Sequence, residues 1–476
     1  MSGASAPPVL IIPVETQVRE LDAKLLLACC AVERGWRVIL GSRAYVHFAM
    51  ADMPRGVYLA KSMRGMSNLM FRLIRDLGHD IVAWEEEALV HPPAEIFYSV
   101  RLSPGTVPYV SHLFAWGEEN RALLAGYRHM PREMPIHLTG NPRGDMLRPE
   151  LRRYFDEEVA ELRREHGEFV LVNTNFTDVN PFIPAVGLFV PSKIPGRPAR
   201  LGQTGLGLPR DFAEGLGAHK RRLIEDFLGM VPALEKALPG VKIIVRPHPS
   251  ENHGVYHDLA RRCSRVAVIH RGNVVPWLLA CRALVHNGCT TAVESYALGV
   301  PAVAYLKTFD PRFDVDFQGL PNSLSLEARS LEELTGRLQA ILRGEQAAEI
   351  TPEKDRLIDH YITARQGPLA AERILDVLDA AYRLEGGALP AVGPLQRRTA
   401  AGLTRLKAAL TKLNMRRPGP NRGSYHAHRW PTIGPDHVAG RVQRLGAALG
   451  RFGRVRVRGR GEHLFDLFAE GDEGWT

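Results

Sequence analysis

The feature that most constrains this chain is a repeated alternation of short, unbroken apolar runs with helical stretches. Val9-Leu10-Ile11-Ile12-Pro13-Val14 is followed by a strong helical pattern over 23–34, closed by Gly35, and then by a second run, Trp36-Arg37-Val38-Ile39-Leu40-Gly41. A strand covered on both faces reads as a continuous apolar run, so this opening predicts a parallel βαβ unit. The alternation continues through Gly56-Val57-Tyr58-Leu59, a helix around 67–77, and Asp80-Ile81-Val82-Ala83-Trp84. His112–Gly117 and Ile136–Arg143 have the pattern of strand-to-loop junctions. A charged helical stretch over 144–167 leads to a second series: Phe169–Phe176, Val241–Val245, Arg265–His270, Ala283–His286 and Ala302–Tyr305. The pattern predicts an α/β chain with two doubly wound, Rossmann-like domains, whose ligands bind at the carboxyl ends of the strands. At about 150 residues per domain, 476 residues accommodate two to three such units. The expected division is an N-terminal domain over 1–150, a C-terminal domain over 165–345, a helical return segment over 346–385 and an extension over 386–476. Thr177 to Leu208, rich in Pro and Gly, is expected to be a long functional loop.

Hydrophobic residues make up 45% and charged residues 24%, as in a soluble globular protein. No apolar run approaches the roughly 18 residues that cross a bilayer. The opening Met1–Pro8 has no charged segment before an apolar one, so a cytoplasmic location is expected. Cys29, Cys30, Cys263, Cys281 and Cys289 form no CxxC pair and are expected to be reduced thiols in apolar surroundings. The formal net charge of +9 belongs to the tail: from Gly386 onward 16 Lys/Arg face 6 Asp/Glu, a balance of +10. Without a nucleic-acid-binding module, that charge points to an anionic membrane surface rather than to specific nucleic acid, and hence to a peripheral position on the inner face of the plasma membrane.

Two stretches carry the chemistry. In Val285-His286-Asn287-Gly288-Cys289-Thr290-Thr291-Ala292-Val293-Glu294, a strand runs through a tight polar turn into a helix, which ends at Gly299-Val300-Pro301. Backbone N–H groups, two hydroxyls and the positive end of a helix dipole suit a phosphate there. Thr290 and Thr291 are therefore assigned to phosphate, with Asn287 and Gly288 in the same turn. Upstream, Val241–Val245 ends in Arg246-Pro247-His248-Pro249-Ser250, which brings a cation and an imidazole to the same sheet edge.

Glu294, Gly299 and Pro301 repeat a spacing that resembles GT-B glycosyltransferases and their relative, the non-hydrolysing UDP-GlcNAc 2-epimerase. The resemblance implies a GT-B-like fold, with the two domains facing a central cleft, and it gives Glu294 the ribose hydroxyls; the charge count adds a basic C-terminal extension. Arg246-Pro247-His248-Pro249 is similar to the His-Pro motif of bacterial sialyltransferases and Kdo transferases, and to the motif of CDP-glycerol glycerophosphotransferases. That likeness places Arg246 and His248 at the donor phosphate. Pro13–Thr16 with Arg19–Lys24, Gly140–Arg143 with Asp145, Asn173–Phe176, His248–Asn252 and His286–Thr291 together resemble the bacterial surface carbohydrate biosynthesis protein family over residues 9–325. It implies a role in capsule or lipopolysaccharide assembly.

A base for the acceptor hydroxyl is sought in the N-terminal domain. Glu85, Glu86 and Glu87 follow an apolar strand, where neighbouring carboxylates raise one another's pKa. Glu86 is the first candidate; Glu85 is its neighbour, and Glu15 and Asp22 compete at the edge of the first strand. The expected activity is glycosyl transfer from a nucleotide-sugar donor to a glycan or lipid-linked glycan, with no cofactor and no metal. Asp314-Val315-Asp316 is the only DxD-like string weighed against the metal-free reading. A 2-epimerase-like sugar-nucleotide epimerase and a non-catalytic scaffold of polysaccharide assembly are the alternatives.

Overall fold

The apolar runs of the first half form a parallel sheet of β1 (Val9–Val14), β2 (Arg37–Ser42), β3 (Val57–Ala60), β4 (Asp80–Ala83), β5 (His112–Ala115) and β6 (Ile136–Leu138), in the order β2-β1-β3-β4-β5-β6. The computed structural model describes residues 8–192, 194–314, 316–384, 389–415, 426–427, 429–472 and 474. Met1–Pro7, Gly386 at the head of the expected extension, and Val315 of the DxD-like string lie outside them. From β1 the chain passes to β2 on one side and later to β3 on the other, so β1 and β3 flank the topological switch point. Leu10, Ile11 and Ile12 are fully buried, as a strand covered on both faces requires.

The second series builds a separate six-stranded parallel sheet. It comprises β7 (Phe169–Asn173), β10 (Lys242–Arg246), β11 (Val266–Val268), β12 (Ala283–His286), β13 (Ala302–Tyr305) and β14 (Leu326–Ala328), in the order β11-β10-β7-β12-β13-β14. Within the 177–208 loop, β8 (Phe189–Val190) and β9 (Arg200–Leu201) pair antiparallel. Here the switch point lies between β7 and β12. The core of this sheet is its own: Val172, Phe176, Phe227, Met230, Val285 and Tyr305 pack together. Chain contacts group 90–100 and 155–358 into this unit, and 1–89, 101–154 and 359–476 into the first. Each unit is Rossmann-like, and the pair gives the chain its GT-B-like fold class.

The C-terminal segment is a structural part of the first unit. The alternating Arg454–Arg458 stretch lies in β15 (Val455–Gly461), which pairs antiparallel with β16 (Leu464–Ala469), and β16 pairs antiparallel with β2. The first sheet thereby becomes eight-stranded. Gly41 permits the close approach, since a Cβ there would stand 2.2 Å from the His463 carbonyl oxygen. Helices Ala370–Asp379 and Pro435–Leu449 pack on Gln17–Glu33, burying that helix on almost every side. Among the described residues, no helix is long and apolar enough to cross a membrane.

Candidate functional site

In the second unit, the carboxyl ends of β7, β10 and β12 deliver Asn173, Arg246 and His286 to one sheet edge, the place where a doubly wound sheet binds its ligands. The turn after β12 is set by His286. Its Nδ1 accepts the Gly288 N–H at 2.9 Å, so the ring proton sits on Nε2 and is donated to Ser325 Oγ at 2.8 Å, which donates to the Pro321 carbonyl. Burial pushes this imidazole down to about 3, and it stays neutral. Gly288 takes φ +89°, a conformation that a side chain would strain. The helix Thr291–Leu298 then starts at Thr290, with Gly299 at φ +72° closing it, as its place before Pro301 predicts.

Asn287 is 2% exposed, yet neither atom of its side-chain amide has a hydrogen-bond partner. Asn173 reaches across the switch point to donate to Thr291 Oγ1 at 3.0 Å, and its own Oδ1 is likewise buried without a partner. Native interiors satisfy nearly all buried polar atoms, so three orphaned atoms at one strand edge mark a place for a polar ligand. Glu294 is buried one turn into the helix. Arg246 gives its guanidinium to the Arg271 and Gly272 carbonyls at 2.9 and 2.7 Å and lies over the Trp277 ring at 5.7 Å. Burial lowers it to about 10 against the pull of Glu294, so it remains a cation. His248 is exposed, with Nδ1 2.6 Å from Ser250 Oγ.

Glu251 is the residue the motif reading undervalued. It accepts from Thr174 Oγ1 at 2.8 Å, Tyr256 OH at 2.5 Å and the His248 N–H at 3.1 Å, locking the β10 exit to the β7 exit. The sequence signal was its position three residues after His248, where a carboxylate can close a turn onto a backbone N–H.

In the first unit, the edge near the β1/β3 switch point carries a lattice of buried charge. Glu15 pairs with Lys61, with Arg43 at 3.3 Å and with Arg429 at 2.7 Å. Burial opposes its ionisation, but the three cations prevail and hold it at about 2. Glu20 accepts the Glu15 and Thr16 N–H groups and the Lys24 ammonium, which also donates to the Pro13 carbonyl. Glu86, 1% exposed, accepts from the Trp84 indole at 2.8 Å and lies 3.8 Å from Lys24 and 3.7 Å from Arg143. Glu85 is fully buried. One of its oxygens faces Arg101 at 3.5 Å and the other has no hydrogen-bond partner. Burial, joined by Glu87, raises it to about 7 despite Arg101. Glu87 itself pairs with Arg19. Lys61 gave no motif signal; only the sheet order shows that the end of β3 abuts the end of β1.

Asn141 caps the short helix after β6, and Asp145 accepts the Ala370 and Ala371 N–H groups at 2.8 and 3.0 Å, a structural use of that motif. Asp314 accepts from His219 at 2.7 Å and from the Asp310 N–H. Among the described residues, no three His, Cys, Asp or Glu side chains gather as a metal ion requires.

No family model matches the chain, and no curated protein matches it. Solved structures do. The S. aureus MnaA–UDP complex is similar at 12% identity and a TM-score of 0.45, over 81% of this chain and 100% of that one. UDP-GlcNAc 2-epimerase from Methanocaldococcus jannaschii is similar at 12% identity and a TM-score of 0.44, over 78% and 99%. The Neisseria meningitidis UDP-GlcNAc 2-epimerase bound to UDP-GlcNAc is similar at 10% identity and a TM-score of 0.45, over 78% and 99%.

Proposed function

We propose that the chain is a glycosyltransferase that takes a sugar from a nucleotide-sugar donor during assembly of a bacterial surface polysaccharide. The observation that carries the donor half is the set of orphaned amide atoms of Asn173 and Asn287 at the β7/β12 switch point, beside a helix start bearing Thr290 and Thr291. A diphosphate accepts from the Asn287 Nδ2 donor and the Thr290 and Thr291 hydroxyls, and the orphaned oxygens of Asn173 and Asn287 accept from hydroxyls of the nucleotide-sugar donor. A carboxylate such as Glu294 accepts both ribose hydroxyls, and His248 supports the leaving phosphate. Arg246, committed to two carbonyls and an indole, supplies fixed positive charge beside Glu294. The reading uses no metal and no cofactor.

For the base we favour Glu85 over Glu86. A general base works best with a pKa near the operating pH, and Glu85 is raised to about 7 with one oxygen unengaged. Both oxygens of Glu86 lie against cations or an indole, and Glu15 at about 2 is too weak a base. Glu15 acts instead as the hub that orders Arg43, Lys61 and Arg429. The acceptor is a glycan, lipid-linked where the enzyme works at a membrane surface.

Thermal-shift measurements with UDP, CDP, CMP and GDP test the donor half. One nucleotide at 100 times its Kd is expected to stabilise the chain by about 2.7 kcal/mol, and Thr291→Val with Glu294→Ala to abolish the shift. No shift with any of the four sinks the reading. The same donor grip and a buried base near neutrality also fit a sugar-nucleotide epimerase. Conversion of UDP-GlcNAc at C2 without any acceptor, followed by NMR, decides for that alternative.

A further inference from the structure

A cavity of ≈ 380 Å³ lies in the first unit at the carboxyl ends of β1 and β2, walled by the helices Arg43–Ala49 and Pro394–Met415. Its volume falls in the range of small-molecule sites, roughly 300–1,000 Å³. Its charge is one-sided. Among the described residues, Arg43, Lys407 and Arg429 line it against a single carboxylate, Glu15, which Lys61 also claims. Lys407 is half-buried, and among the described residues its ammonium pairs with no carboxylate. Burial and the Arg43 charge lower it, and burial with the charges of Arg43 and Lys407 drives His47 down to about 3. His426 is lowered too, by burial and then by Arg429. Crowding cations in a poorly solvated cavity is unfavourable until an anion joins them. Val14, Phe48, Met70, Ala408 and Met415 add an apolar part to the wall, beside the polar Ser42, Thr404, Thr411 and Asn414. Guanidinium forks match phosphate oxygens in pairs, and an ammonium adds a point charge.

We propose that this cavity binds a phosphate ester with an apolar body, the phosphate held among Arg43, Lys407 and Arg429 and the body lying against Phe48, Met70 and Met415. The site stands on the first unit alone and does not depend on the donor reading. The same chemistry is offered by a free prenyl-type phosphate and by the head of a lipid.

Calorimetric titration of the full-length chain tests it with geranyl monophosphate, glucose 1-phosphate, inorganic phosphate, and phosphatidic acid in neutral detergent micelles. Geranyl monophosphate is expected to bind at least about tenfold tighter than inorganic phosphate or glucose 1-phosphate, because only it fills both parts of the cavity. Lys407→Ala and, separately, Arg429→Ala should each weaken it about tenfold, and Lys407→Arg should restore it. Thr291→Val should leave it unchanged, and unfolding midpoints verify that each variant is folded. Lys407-dependent binding of micellar phosphatidic acid alone assigns the ester to a lipid head, and of geranyl monophosphate alone to a free ester; both support the site. No saturable binding at millimolar concentration, binding indifferent to both substitutions, or glucose 1-phosphate binding as tightly as geranyl monophosphate would overturn it.

Discussion

Glu85 and Glu86 are adjacent in sequence and both fully or almost fully buried, but different neighbours give them opposite properties. Glu86 sits between Lys24 and Arg143 with an indole N–H on one oxygen, so its charge is compensated. Glu85 has one guanidinium at 3.5 Å and a bare oxygen, and burial lifts it to about 7. The sign of its pH effect follows. Between pH 4.5 and about 7 the folded chain holds a proton that the unfolded chain has released, so Glu85 costs stability as the pH rises through that window. Glu85→Gln should therefore be near neutral for stability at pH 4.5 and stabilising by on the order of 1–3 kcal/mol at pH 8. It should also cost about 10²–10⁴ in turnover. Glu86→Gln should instead leave Lys24 undercompensated and destabilise by about 2–4 kcal/mol at pH 8. Urea midpoints at the two pH values separate the roles, and a Glu85→Gln enzyme that keeps full activity removes it as the base.

At the scale of elements, the strands were legible because a continuous apolar run has few other ways to be buried, and the turn after β12 because Gly288, Gly299 and Pro301 each restrict the backbone. The fate of the tail was not legible. Its net charge reads as a free basic arm, but the acids that absorb much of it are distant in sequence. Arg405 pairs with Asp52, Arg429 with Glu15, Arg441 with Asp22, and Arg451 with Glu33 and Glu372. What remains available is the helix Pro394–Met415. It carries Arg397, Arg398, Lys407 and Lys412, besides the Arg405 that Asp52 pairs, with no acidic residue, and Leu403, Leu406, Leu410 and Leu413 form a stripe on it, each at least half exposed. A cationic helix with an unpartnered leucine face matches an anionic bilayer better than a second copy, whose cations would face its own. Membrane attachment, expected of the basic tail as a whole, is thus better proposed for this helix. Full-length protein should co-sediment with vesicles containing phosphatidylglycerol and not with phosphatidylcholine alone, and Leu406→Glu with Leu410→Glu should abolish it. Concentration-dependent dimerisation lost in the same variant would assign the stripe to self-association.

For the whole molecule, the consequence lies in how the chain is threaded. The second unit is built almost entirely from one segment, 155–358, with 90–100 added, whereas the first needs both ends of the chain. The second sheet has its own core and contains every residue of the candidate donor site, from Asn173 to Glu294. The first sheet without 359–476 would expose the edge of β2 that β16 covers and would strip Ala370–Asp379 and Pro435–Leu449 from the helix Gln17–Glu33. It would also leave buried Asp22 and Asp145 without Arg441 and the Ala370 and Ala371 N–H groups. Uncompensated buried carboxylates and an open apolar face each cost several kcal/mol, as much as the whole stability of an ordinary domain. A fragment of residues 155–358 is therefore expected to unfold cooperatively in urea and to keep the nucleotide-induced shift of the full chain. Residues 1–154 are expected to be insoluble alone and to fold only when co-expressed with 359–476. Circular dichroism of the separate and co-expressed fragments checks both, and a 1–154 fragment that folds alone would show that the C-terminal segment decorates the first sheet rather than completing it.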